Sequence, residues 1–220
     1  MKHVALRRDI VVACQDMNRR GINQGTSGNI SARVPEGFLL TPSGVAYDEM
    51  KPADIVVMKK DGSSLGKLKP SSEWRLHTVI MDARPEVGAV VHTHSMFATT
   101  LSCLGLEIPA VHYMIAAAGG SNIRCVPYIA YGTQELADAA LKALHGRNAC
   151  LLGNHGMIVV GPNLKRAMWL AVEVETLAAQ YWRALQIGKP NILSEAQVQA
   201  IMEKFKTYGQ PRLAKAVGCC

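Results

Sequence analysis

Six cysteines are present, yet no two stand as Cys-x-x-Cys and no secretory leader precedes them. A paired-thiol zinc or redox motif is therefore excluded. Cys14, Cys103, Cys125, Cys150, Cys219 and Cys220 read as reduced, mostly buried thiols of a cytoplasmic protein. Also missing is an apolar run long enough for a membrane. The N-terminal patch Ile10-Val11-Val12-Ala13 is short and is bracketed by Arg7, Arg8, Asp9 and Asp16. Cys219-Cys220 is not a prenylation box, which needs cysteine fourth from the end, where Val217 stands. Lys and Arg are scattered, with no basic helix or recurring aromatic-basic strand, so nucleic acid is excluded as a partner. There is no G-x-G-x-x-G, no P-loop, no internal repeat and no interdomain linker.

What is there is an ordinary globular composition: 220 residues, 49% hydrophobic and 19% charged. That length suits one domain with a sizeable core, expected over 1–209 with 210–220 as a mobile tail. The net charge of +7 leans towards anionic ligands, and phosphorylated metabolites fit it.

The most informative stretch is Val90-Val91-His92-Thr93-His94-Ser95. Val87 to Val91 is an apolar run of strand type, so His92 and His94, two apart, project from one face. Neutral imidazole is the commonest nitrogen ligand for zinc. A third histidine, His155, sits between Gly153-Asn154 and Gly156 within the apolar pattern 151–160. Three histidines with one position left open is the catalytic kind of zinc site. Manganese or cobalt remains compatible with the same ligands.

Three small-residue loops accompany this set. Gly21 to Asn29 follows a helix expected over about Leu6 to Arg20, and Thr41-Pro42-Ser43-Gly44 follows a hairpin of Asn29–Val34 with Gly37–Thr41. Ser71-Ser72-Glu73 opens a helix to about Ala83, which either serine can cap. Loop N–H groups, hydroxyls and a helix N-terminus together make an anion pocket. Glu73 reads either as a first-turn glutamate paired with His77 at i+4, or as a carboxylate beside the metal. Ala116-Ala117-Ala118-Gly119-Gly120 reads as a poor core element and a good subunit contact or active-site edge. Val126-Pro127-Tyr128 resembles a short strand. Thr133 caps a helix to about Leu144, Leu164 to Ile187 is a long amphipathic helix, and Ser194 caps a last helix ending near Tyr208-Gly209.

Laid out in order, these motifs resemble the class II aldolase/adducin family. They are Asn23-Gln24-Gly25-Thr26 through Gly28-Asn29, Thr41-Pro42-Ser43-Gly44, Ser71-Ser72-Glu73-Trp74-Arg75, Val91-His92-Thr93-His94, His112 to Gly120, His155-Gly156 and Glu203 to Gly209. The resemblance implies a single three-layer α/β/α domain around a mostly antiparallel sheet, assembled as a cyclic homotetramer with active sites at subunit boundaries. It implies one Zn2+ per chain on His92, His94 and His155, with Glu73 as resting fourth ligand and acid/base. Gly28, Asn29, Ser43, Gly44, Ser71 and Ser72 would hold a substrate phosphate. Tyr113 would act in a neighbouring subunit's site, and Tyr208 would close over it. The activity implied is cleavage of a ketose 1-phosphate, through a metal-stabilised enediolate, to dihydroxyacetone phosphate and an aldehyde. L-fuculose 1-phosphate is the first substrate expected, with 5-deoxyribulose and 5-methylthioribulose 1-phosphates beside it. Tyr131 stands where the family pattern has phenylalanine on the aldehyde side, and the tail beyond Gly209 also differs from it, so the aldehyde is the open question. Within the same family a sugar-phosphate 4-epimerase and a non-catalytic adducin-like interaction domain are the competing readings.

Overall fold

In the computed structural model, described over residues 1–207, the chain alternates strands and helices. Its elements are α1 (Val4–Arg19), β1 (Asn29–Val34), β2 (Gly37–Leu40), β3 (Val56–Lys59), β4 (Ser64–Leu65), α2 (Trp74–Ala83), β5 (Ala89–Thr93), α3 (Met96–Cys103) and β6 (Ile108–Pro109). A 3₁₀ helix (Tyr113–Ala118) follows, then β7 (Asn122–Val126), α4 (Gln134–Ala143), β8 (Ala149–Leu152), β9 (Gly156–Gly161), α5 (Leu164–Ile187) and α6 (Glu195–Thr207). The strands form one sheet in the order β4-β3-β2-β1-β5-β9-β8-β7-β6. Every pairing is antiparallel except β7 with β8.

Alternation along the strands splits the core into two. Ile30, Ala32, Val91 and Val159 join Ile10, Cys14 and Met17 of α1 and Ala171 and Val174 of α5 on one face. Leu40, Val90, Ile158 and Val160 join Leu76 and Ile80 of α2 and Leu136 and Ala140 of α4 on the other. The sheet is thus covered on both sides, giving the three layers and single domain expected. Each fully buried Val, Leu or Ile contributes roughly 1.5–3 kcal/mol. His92 shares parity with Val90 and so points to the α2 side, where Glu73 stands at the head of that helix.

Several local expectations need correction. The run from Ala116 is not a poor core element: Ile115, Ala116 and Ala118 are buried in a 3₁₀ helix that packs on α5 and α6. Its small side chains permit close backbone approach, which composition alone cannot tell from flexibility. The strand expected through Pro127 ends at Val126, because proline has no N–H to extend a ladder. Of the two serines before α2, Ser71 Oγ accepts the Glu73 N–H at 3.3 Å, while Ser72 is exposed. The Thr133 cap on α4 is present, its hydroxyl accepting from Leu136 N–H. Ser194 and Gln197 form a reciprocal capping box at α6. No helix among the described residues is long and apolar enough to cross a membrane. Tyr208, the expected helix end at Gly209 and the 210–220 tail lie outside the described residues.

Candidate metal centre

Four side chains from three elements converge where β5, β9 and α2 meet. His92 is in β5 and His94 lies just beyond it, with their Nε2 atoms 3.0 Å apart. His155 reaches the same point from the turn between β8 and β9, and the three rings stand 4.8–4.9 Å apart in edge contacts. Glu73 Oε2 lies 3.1 Å from His92 Nε2, and its Oε1 lies 3.3 Å from His155 Nε2. All four ligand atoms lie within 4.8 Å of one another. Two glycines make this approach possible. A Cβ on Gly156 would sit 2.4 Å from the Thr93 carbonyl oxygen, and one on Gly28 would sit 2.7 Å from that of His92.

The donor chemistry fits a divalent cation. His92 Nδ1 bonds the Met157 carbonyl at 2.9 Å, which places the proton on Nδ1 and leaves the Nε2 lone pair for the centre. Glu73 Oε1 is buried and lacks a hydrogen-bond partner, as a metal-directed lone pair would. Burial alone would raise the Glu73 carboxyl, but the His92 and His155 imidazoles outweigh it and hold it well below the usual carboxylate range. Burial likewise disfavours a charged His92, and the Glu73 carboxylate reverses this, raising the ring above its ordinary value. His94 is pushed down to about 4 by burial and by His92 and His155, so its lone pair stays free for a ligand bond.

Behind Glu73 runs a buried polar chain. Asn29 Nδ2 donates to Glu73 Oε2 at 2.9 Å, and Asn29 Oδ1 faces His77 Nε2 at 2.6 Å. His77 Nδ1 meets Ser31 Oγ at 2.7 Å. The i+4 pairing of Glu73 with His77 is thus replaced by one in which Asn29 stands between them. Burial pushes His77 down to about 3. On the other flank Asn23 Oδ1 accepts from Ser27 Oγ and, at 3.5 Å, from the His94 N–H. Glu175 of α5 accepts from the Phe97 and Ala98 N–H groups at 2.8 and 2.9 Å, fixing α3 directly after His94.

The centre opens into a cavity of about 510 Å³, whose walls include Ser27, Ser43, Gly44, Ser72 and Tyr131. A family model described as the class II aldolase and adducin N-terminal domain matches residues 8–182. The chain belongs to the class II aldolase and adducin family. A 5-methylthioribulose-1-phosphate/5-deoxyribulose-1-phosphate aldolase of Rhodospirillum rubrum is 52% identical over 94% of this chain and 93% of its own. An L-fuculose phosphate aldolase of Escherichia coli is 46% identical over 95% of this chain and 98% of its own. A solved L-fuculose 1-phosphate aldolase superposes with a TM-score of 0.90 at 38% identity, covering 94% of this chain and 98% of that one. The chain is accordingly a class II aldolase, a lyase, and not the interaction domain held open above.

Within this class II aldolase the sequence-read residues fall into three positions. Glu73, His94 and His155 line the bottom of the cavity, with His92 fully buried beneath them, and the four make its floor. Ser43, Gly44 and Ser72 face the cavity, and the loops carrying them are tied by Ser43 N–H to the Lys69 carbonyl and Ser71 N–H to the Thr41 carbonyl. Gly28, Asn29 and Ser71 are buried just behind. Gly28 is held by the Tyr47 hydroxyl on its carbonyl, and Asn29 by Glu73 and His77. Tyr113 lies half exposed away from its own chain's cavity, beside His112 and Phe205. Sequence reading missed Ser31 and His77 as part of the site. Local spacing gives only half of the signal, placing Ser31 on one strand face with Asn29 and His77 one helical turn from Glu73, while the contact between the two elements is long-range. It also passed over Asn154, which takes φ 54° in the β8–β9 turn and lines the cavity.

Proposed function

We propose that the protein cleaves a ketose 1-phosphate between C3 and C4, giving dihydroxyacetone phosphate and a short aldehyde with an apolar end. The observation that carries this is three imidazoles and one carboxylate at the floor of a cavity rimmed by serine–glycine loops. The names of the relatives, aldolases of L-fuculose phosphate and of 5-deoxy- or 5-methylthioribulose 1-phosphate, support the substrate class. Zn2+ is the ion assigned, held by His92, His94 and His155 with Glu73 as fourth ligand, and when bound it supplies a Lewis acid for the charge left by bond cleavage.

The side chains supply the rest. Gly28, Asn29, Ser43, Gly44, Ser71 and Ser72 are assigned to the phosphate, whose charge suits loop N–H groups and the α2 N-terminus. In cleavage the C4 hydroxyl loses a proton and C3 gains one. Glu73 returns the C3 proton, and such an acid/base contributes roughly 10²–10⁴-fold. Tyr113 of a neighbouring copy in a homotetramer is assigned to the aldehyde side, with Tyr208 closing over the same site. Tyr128, Ile129 and Tyr131 line this chain's own cavity and suit an apolar aldehyde tail. The reaction is placed in the cytoplasm.

The test is release of dihydroxyacetone phosphate from L-fuculose 1-phosphate and from 5-deoxyribulose and 5-methylthioribulose 1-phosphates, before and after chelation. Release that chelation abolishes and zinc restores is the expected result. A metal-loaded protein that cleaves none of the three sinks the proposal, and isomerised substrate recovered intact would make it an epimerase.

A further inference from the structure

Asn29 presents its amide nitrogen to Glu73 Oε2 at 2.9 Å, the orientation that a carboxylate ligand, an acceptor only, calls for. The amide oxygen then faces His77 Nε2 at 2.6 Å, and two acceptors cannot share that contact, so Nε2 carries a proton. A wholly buried imidazole between an amide and a hydroxyl is neutral, which leaves Nδ1 bare. Ser31 Oγ, 2.7 Å away, donates to it. The polarity of the whole chain, Ser31 to His77 to Asn29 to Glu73, is thereby fixed in one direction.

We infer that His77 is a positioning residue: as the Nε2–H tautomer it locks the Asn29 amide, and that amide holds Glu73 Oε2 at the metal centre. Without the His77 donor, the Asn29 amide oxygen is left buried without its partner, and only the Glu73 carboxylate still selects the orientation that presents the nitrogen. The four residues lie on β1 and at the head and first turn of α2, joined by contacts that span 44 to 48 residues of sequence. The inference rests on reading Glu73 as a metal ligand.

The whole chain is stripped of metal and titrated with cobalt(II), following the visible absorption of the ligated ion, in wild type, His77→Gln and His77→Leu. Glutamine keeps an N–H donor near the Nε2 position, whereas leucine keeps bulk and loses the donor. Partners that orient metal ligands typically matter 10–100-fold, so His77→Leu should weaken cobalt binding by about that much and His77→Gln by no more than about 3-fold. The turnover of the leucine variant should fall by a similar factor with little change in KM. Equal binding in wild type and His77→Leu, or the same loss in both variants, overturns the inference. If the leucine variant does not fold, 15N-histidine spectra of metal-free wild type decide instead: a neutral Nε2–H ring for His77 is required, and an Nδ1–H or doubly protonated ring refutes it. Wild type that binds no cobalt at all removes the metal centre itself and this inference with it, an outcome distinct from any His77 effect.

Discussion

The floor and the rim of the cavity are built by opposite means. On the floor, His92 is fully buried and Glu73 is 5% exposed, and each is held by further buried partners, Met157 and Asn29. The floor ligands leave the ends of the central strands and the head of α2, so their positions follow from the register of the sheet. On the rim, Ser43, Gly44 and Ser72 are exposed loop residues, and Tyr131 is 70% exposed. A floor assembled this way tolerates little change, while a rim of loops can be altered without moving it.

The largest effect expected is from emptying the floor. Chelation should take turnover to background and lower the melting temperature, since a ligand bound only by the folded state adds about 4 kcal/mol at a thousandfold excess over its Kd. An unchanged melting temperature would mean that the folded protein held no ion to lose. Next comes Glu73→Gln, which preserves shape but cannot carry the proton. Turnover should fall about 10²–10⁴-fold while the protein, assayed by metal analysis, still holds its ion. A wild-type rate in that variant removes Glu73 from the mechanism and leaves it a ligand only.

The floor was also the part most legible in the sequence, because local rules encode it. A two-residue spacing on a strand put His92 and His94 on one face, and glycines on both sides of His155 set it apart within its apolar strand pattern. The helix starts at Thr133 and Ser194 were readable for the same reason. What escaped was set by pairing across the chain. Asn29 stands opposite His92 in the β1–β5 register, so its side chain turns inward to Glu73 and His77, a contact no local pattern contains. The alanine run after Tyr113 misled because small residues serve flexible loops and tight packing alike, and only its neighbours α5 and α6 decide between them.

Rim changes should be smaller and should leave the floor untouched. Ser72→Ala removes one exposed hydroxyl facing the cavity. Loss of one hydrogen bond to a charged group, about 1.5–3 kcal/mol at full strength and less at an exposed site, should raise KM roughly 10-fold with kcat near wild type. A drop in kcat alone would move Ser72 from binding to chemistry.

Tyr131→Phe should be the mildest. The ring stays where it is at the mouth of the cavity, and only an exposed hydroxyl is lost. Metal content and melting temperature should not change. The ratio of kcat/KM between L-fuculose and 5-deoxyribulose 1-phosphates should shift, because their aldehyde products differ in a hydroxyl that a phenol can bond and a phenyl cannot. Removing a polar contact at so wet a site should move that ratio by less than about 10-fold, well short of the discrimination a buried, dedicated hydrogen bond gives. A constant ratio would pass aldehyde selection to Tyr128 and Ile129 on this chain or to Tyr113 from a neighbour. A changed metal content would break the comparison itself, since it would couple an exposed rim residue to a floor that the sheet holds in place without it.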